Sequence, residues 1–313
     1  MKMSEMRLVI EQKTGVPTYK MSTMELRKLF EQAGLDPNCY YQEIEMESPY
    51  IDTHRDASDA RDVVGLHSHL FYELLYIESG AVRYLLGAER YLLHRGDVVL
   101  IAPGVSHRPL DLALLAEPYK RFVVWMSEEY LALVRNVYPA LFPLEGYRVL
   151  CTSGTHWEFL RKIFENGVRE AEQGAPQSEA MVAANTMALL VQLTRAMEAP
   201  QDRVPQAETP ELIDEIVRYF EAHLAEKLAL ETVARQFHVS ESTVSQLFRK
   251  RLNVSFYQYL THRRLIAAKE RILRGQSFEQ IAEEVGFSDY SNFYRAFRRE
   301  YGISPSQYKA KFL

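Results

Sequence analysis

The chain has 313 residues, of which 47% are apolar and 25% charged, and a formal net charge of −5. That length leaves room for about two domains, and the balance is that of a folded globular protein. Cys39 and Cys151 are too few for a disulfide framework or a four-cysteine zinc site, and no run reaches the roughly 18 uninterrupted apolar residues of a membrane span.

The net charge conceals an asymmetry. Residues 235–313 carry 14 Lys/Arg against 7 Asp/Glu, whereas the other 234 residues carry 23 against 35. A basic tail on an acidic body points to one polyanion-binding domain and one domain with another task. Glu5 and Glu11 interrupt any basic-then-apolar leader. The expected compartment is the cytoplasm, with no membrane partner.

Ser22-Thr-Met-Glu25 reads as a capping box, followed by Leu26, Leu29 and Phe30 on one stripe and Gly34 as a stop. This predicts a short helix over 23–33. Residues 49–127 change period. Short apolar runs at Phe71–Ile77, Val82–Leu86, Arg90–His94, Asp97–Ala102 and Arg121–Trp125 are cut by turn residues, as in an all-β sandwich or barrel.

Within this region stand Gly65-Leu-His67-Ser-His69-Leu-Phe-Tyr-Glu73, then Gly80, and later Pro103-Gly104-Val-Ser-His107. Alternation along a strand sends His67, His69 and Glu73 to one face. Imidazoles with a carboxylate suit zinc, iron, manganese or nickel. The stretch resembles the two cupin motifs, except that Ala102 stands where the second motif has proline. The resemblance implies a cupin-like barrel in which His67, His69, Glu73 and His107 hold a divalent metal or contact a small effector. Tyr72, Tyr84, Arg83, Arg108 and Trp125 offer aromatic walls and polar anchors for such a ligand.

Trp157, Leu160, Phe164 and Val168 recur at helical spacing, and Met181, Ala184, Met187, Ala188 and Val191 follow beyond the break at Gln173–Pro176. Two amphipathic helices folded back on each other must pack on the barrel or on a second copy, so a homodimer is one expectation. Residues 199–210, with three prolines, read as a linker.

One pattern then appears twice, as LALETVARQFHVSESTVSQLFRKRL from Leu228 and as SFEQIAEEVGFSDYSNFYRAFRREYG from Ser277. Each copy is a short helix holding an alanine (Ala234, Ala282), a turn, and a second helix with an apolar side and a basic end. This is a doubled helix-turn-helix, whose second helices would enter successive major grooves. The exposed side of the first is Ser242, Ser245, Gln246 and Arg249; that of the second is Tyr290, Ser291, Asn292 and Arg295, with Tyr294 beside them. Asn292 suits adenine and Arg295 suits guanine. Arg298, Arg299, Lys250, Arg263 and Arg264 are phosphate candidates.

The last hundred residues resemble the DNA-binding domain of the AraC family of bacterial transcription regulators. The resemblance implies an α+β multidomain chain with no catalytic residues. Residues 1–150 would be a cupin-like sensing domain, 151–199 a helical hairpin suited to dimerisation, 200–209 a linker and 210–313 the double helix-turn-helix. It further implies promoter DNA, RNA polymerase and a small metabolite such as a sugar as partners, with activation as the output. The alternative is a metal-dependent cupin enzyme fused to a DNA-binding module.

Overall fold

The computed structural model describes residues 10–16, 29, 32, 46–58, 64, 66–141, 145–200, 207–209, 211–252 and 254–312. The helix expected over 23–33 lies outside these residues, apart from Leu29 and Gln32, which are helical. Most of the linker lies outside them too. Two compact units emerge: Met1–Leu86 with Tyr91–Glu208, and Thr209–Leu313 with the short segment Gly87–Arg90.

The first unit is a pair of antiparallel sheets. Its strands are β1 (Ile51–Ser58), β2 (Tyr72–Ser79), β3 (Val82–Leu86), β4 (Glu89–Leu93), β5 (Asp97–Ile101), β6 (His107–Leu110), β7 (Tyr119–Met126) and β8 (Tyr147–Cys151). Five strands run in the order β1-β7-β2-β5-β8 and three in the order β4-β3-β6. The period of two in β2 builds a core on each face of the larger sheet. Leu75 and Ile77 meet Val82, Tyr84 and Leu86 from the smaller sheet. Tyr72, Leu74 and Tyr76 meet a helical layer.

That layer is α1 (Glu128–Val137), α2 (Leu160–Gln173) and α3 (Ser178–Glu198). Ser127 starts α1 by accepting from the Tyr130 amide, and Gly174, at φ 55°, ends α2. Asn185 Nδ2 donates to the Ile163 carbonyl at 2.9 Å, and Gly167 leaves room for that side chain. The helical pair thus packs on its own sheet. Over its most apolar 18 residues the mean hydropathy of α3 is 1.2, so by length and composition it could cross a membrane. Yet Leu189, Leu190 and Leu193 belong to the sheet's core, so α3 is a core helix.

Sequence patterning found β2, β3, β4, β5 and β7 within a few residues. It missed β1, β6 and β8. Six of the eight β1 residues are polar, because its inner face lines a charged interior rather than an apolar one. The expected boundary at residue 150 falls inside β8, which is the edge of the larger sheet beside β5.

The second unit is helical: α4 (Leu212–Ala222), α5 (Leu230–Gln236), α6 (Glu241–Leu247) running into a π turn (Phe248–Leu252), α7 (Phe256–Leu273), α8 (Phe278–Glu284), α9 (Tyr290–Tyr301) and α10 (Pro305–Phe312). Phe220, Phe248, Phe256 and Tyr259 form one aromatic cluster, with centroids 5.0 to 5.8 Å apart. Phe293, Phe297, Tyr301 and Tyr308 form another. Each cluster sits behind one helix-turn-helix.

Candidate functional site

The two helix-turn-helix units are equivalent down to individual hydrogen bonds. After α5 the Val239 amide donates to the Ala234 carbonyl at 3.0 Å, and after α8 the Phe287 amide donates to Ala282 at 2.8 Å. His238 (φ 54°) and Gly286 (φ 88°) hold the same left-handed position in the two turns. Ser240 caps α6 through the Thr243 amide, and Asp289 caps α9 through the Asn292 amide. Val244 and Phe248 anchor the first second-helix, and Phe293 and Phe297 the other; all four are fully buried.

Burial behind leaves a consistent outer face. Ser242, Gln246 and Arg249 are exposed and Ser245 is half-buried; Arg249 and Lys250 lie on the π turn. On α9, Ser291, Arg295, Arg298 and Arg299 are exposed, while Tyr290, Asn292 and Tyr294 are half-buried. Two of the expected phosphate contacts are corrected. Arg263 forks onto both carboxylate oxygens of Glu221 and is itself buried. Arg264 donates to the carbonyls of Leu224 and Glu226 at 3.0 and 2.7 Å. Both hold α7 to the first helical unit instead of facing outward. Glu300, a potential partner for Arg298 and Arg299, is taken by His262 Nδ1 at 2.9 Å.

In the first unit the structure draws three of the four expected ligands together. His69, Glu73 and His107 place ligand atoms within 4.8 Å of one another, all buried. Glu73 lies on β2 opposite Trp125 of β7 and Ile101 of β5, and Trp125 Nε1 donates to its Oε1 at 2.8 Å. His107 opens β6. The Gly104 amide donates to the His69 carbonyl at 2.9 Å, so the second motif holds the first. His67 adjoins the triad without being one of its three converging ligands. It pairs through its backbone with His107, and its ring is half-buried against that residue's at 4.3 Å.

Protonation inside the triad is constrained by its surroundings. The His69 Nδ1–H donates to the Phe71 carbonyl at 2.8 Å and the His107 Nδ1–H to the Val105 carbonyl at 2.9 Å. A carbonyl only accepts, so both hydrogens sit on Nδ1. In the neutral rings both Nε2 atoms then carry lone pairs. Burial lowers the His69 pKa and favours that neutral form, against the opposing pull of Glu73. Burial by itself would raise the Glu73 carboxyl, but a hydrogen shared with the His107 or His69 ring outweighs it and holds the group well below the usual carboxylate range. His107 Nε2 lies 3.1 Å from Glu73 Oε2, with no hydrogen to give it in this tautomer, and it is buried with no hydrogen-bond partner. Two lone pairs and a carboxylate oxygen therefore converge on one point. They are stable there around a shared cation, a proton or a metal ion. Nδ1–H groups held by backbone carbonyls are also how ligating histidines are oriented, and the donor set fits a divalent transition metal.

Among the expected wall residues, Tyr84 and Trp125 face this interior, and Arg108 is buried. Tyr72 has the opposite parity to Glu73. It lies on the helical side and donates to Glu128 at 2.7 Å. Arg83 is exposed and paired with Glu208. Sequence patterning missed three interior groups. The His54 ring meets Trp125 edge-on at 4.8 Å. Arg121 donates to Asp56 and Ser58, and Tyr119 lies under the Arg121 guanidinium at 4.7 Å. The signal was the alternation His54, Asp56, Ser58. An open cleft of about 1620 Å³ is lined by β1, α1 and the α2–α3 turn and reaches His54, Asp56 and Trp125.

Residues 50–109 match the AraC-like ligand binding domain, and residues 233–311 match a helix-turn-helix domain family. The chain belongs to the AraC family of transcription regulators. An uncharacterized HTH-type transcriptional regulator, YfiF of Bacillus subtilis, is 26% identical over 251 residues, 78% of each chain. The HTH-type transcriptional activator RhaS of Salmonella schwarzengrund is 25% identical over 248 residues, 76% of this chain and 85% of the relative. Solved structures similar to the AraC-family chain include the C-terminal domain of AraT, a response regulator from Geobacillus stearothermophilus (32% identical, 32% of this chain and 84% of that one, TM-score 0.31). ToxT from Vibrio cholerae covers more (12% identical, 85% and 99%, TM-score 0.34). The two matched domain families, together with the YfiF and RhaS relatives, make this chain a transcription regulator, and the enzyme alternative gives way.

Proposed function

We propose that this AraC-family protein is an effector-responsive activator of transcription, with its sensing centre at His69, Glu73 and His107. The convergence of three cation-seeking atoms in a buried interior carries this reading. His69, Glu73 and His107 would hold a divalent ion, with His67 at the rim. A bound ion would supply a coordination position for an oxygen or nitrogen donor of a small metabolite, a sugar among the candidates.

The outer faces of α6 and α9 would read promoter DNA. Ser242, Ser245 and Gln246 suit weak or water-mediated contacts. Tyr290, Ser291, Asn292 and Arg295 lie on the stronger reading face, and Arg249, Arg298 and Arg299 suit phosphates. RNA polymerase and a second copy of the chain are the protein partners of this reading, and the cytoplasm is its compartment. Activation follows the name of the RhaS relative. Effector binding must favour one state of the chain over another, because equal affinity for both shifts nothing.

The test is elemental analysis of the purified full-length protein beside a thermal-shift screen of metabolites with and without added zinc, iron, manganese or nickel. Near-stoichiometric metal that Glu73→Gln removes, together with a metabolite that changes DNA affinity, is the expected result. Metal-free protein whose DNA affinity no metabolite alters would sink the sensor reading.

A further inference from the structure

The α9 amino terminus holds a closed chain of hydrogen bonds. Asn292 Nδ2 donates to Ser288 Oγ at 2.6 Å and to Asp289 Oδ2 at 2.7 Å. Arg295 donates from a terminal guanidinium nitrogen to Asn292 Oδ1 at 2.7 Å. Ser288 Oγ donates to Asp289 Oδ2 at 3.0 Å, and Asp289 Oδ1 accepts the Asn292 amide at 2.7 Å. Both carboxamide hydrogens and the carboxamide oxygen of Asn292 are therefore engaged within its own helix turn.

Reading adenine requires one Nδ2 hydrogen and Oδ1 of Asn292 together, pointed at the base edge. Here both hydrogens point back to the cap, which leaves none for adenine N7, and Arg295 holds one lone pair of the oxygen. Arg295 is in the opposite situation. A guanidinium has five hydrogens in a planar fork, and one contact with Asn292 leaves enough of them to face guanine O6 and N7. Arginine loses substantial rotamer freedom when it is fixed on a base. A side chain already steered by Asn292, itself pinned by Ser288 and Asp289, loses less.

We propose that Asn292 reads no base and is a positioning residue that aims Arg295 at one G·C pair. This rests on the reading that α9 enters the major groove. It corrects the expectation that Asn292 and Arg295 read two separate base pairs.

Selection of binding sites from random duplex DNA with the full-length protein tests it. Arg295→Ala is expected to lose the preference for one G·C pair by roughly tenfold to a hundredfold. Asn292→Ala should weaken the preference at that same pair by about threefold to tenfold, without relaxing any other pair. The double variant should lose no more there than Arg295→Ala does. Asn292→Asp keeps an acceptor for Arg295 and should keep the G·C preference while total affinity falls. Thermal unfolding of each variant separates these effects from misfolding.

Relaxation of an A·T pair by both Asn292→Ala and Asn292→Asp overturns the proposal. So does a G·C preference that Asn292→Ala leaves intact. Failure of the wild-type protein to select any site removes the DNA-reading premise itself.

Discussion

Gly286 and His238 occupy equivalent turns, yet only one of them has to be glycine. A Cβ on Gly286 would sit 2.4 Å from the Leu224 carbonyl oxygen and 2.8 Å from the Arg264 guanidinium, at φ +88°. Gly286→Ala should therefore cost about 2–3 kcal/mol, read from denaturant unfolding. His238 tolerates φ 54° as histidine sometimes does, and His238→Gly should move stability by less than about 1 kcal/mol. Arginines divide in the same way. Arg264→Ala removes two backbone contacts across the unit and should lower the unfolding midpoint. Arg298→Ala should leave that midpoint unchanged and reduce the salt slope of DNA binding by about one. A full phosphate-type effect from Arg264, with stability preserved, would contradict the geometry.

Among the elements, α7 and α9 are joined by His262 and Glu300. Contact with His262 holds the Glu300 carboxyl below its ordinary value, against the opposing effect of burial. A depressed carboxylate contributes stability above its unfolded pKa of about 4.3, and that contribution is lost as pH falls through the lower folded value. Urea midpoints between pH 3 and 7 should fall on acidification, and Glu300→Gln should flatten that acid limb. An unchanged acid limb in the variant would assign the loss to other carboxylates. The cap of α9 is a second element-scale feature. Asp289 holds the Asn292 amide and, through Ser288 and Asn292, the network that reaches Arg295. Asp289→Ala should fray the first turn, read as a lower thermal midpoint and loss of helical circular dichroism.

For the whole molecule, the second compact unit has its own aromatic clusters and capped helices. Residues 209–313 alone are expected to fold cooperatively and to bind the DNA that the full chain selects. Their affinity should not respond to metal or to any effector, because the triad belongs to the other unit. Circular dichroism melting and fluorescence anisotropy on this fragment check both points. A soluble, folded fragment without DNA affinity would show that the sensing unit takes part in binding.

How much was legible beforehand follows from what is local and what is not. The doubled helix-turn-helix was readable because its marks are local: an alanine in each first helix (Ala234, Ala282), a tight turn after it, and a second helix with apolar residues at fixed spacing (Phe248, Phe297) and a basic end. The strands with apolar inner faces were readable by their period of two. Strand β1 was not, because its interior partners, Arg121 and Trp125, lie about 70 residues away in the chain and make polar residues buried ones. The motif spacing named His67, His69, Glu73 and His107 as a set. Only the register of β2 against β7 and β5, with the loop that ties Gly104 to His69, decided that three of them converge and that His67 does not. Sequence likewise marked Arg263, Arg264 and Asn292 as contacts for DNA, by type and exposure alone. Tertiary packing turned the two arginines inward, onto groups about 40 residues away, whereas the asparagine's polar atoms are taken by its own helix turn, and a hydrogen-bond donor spent inside the protein is no longer available to a base.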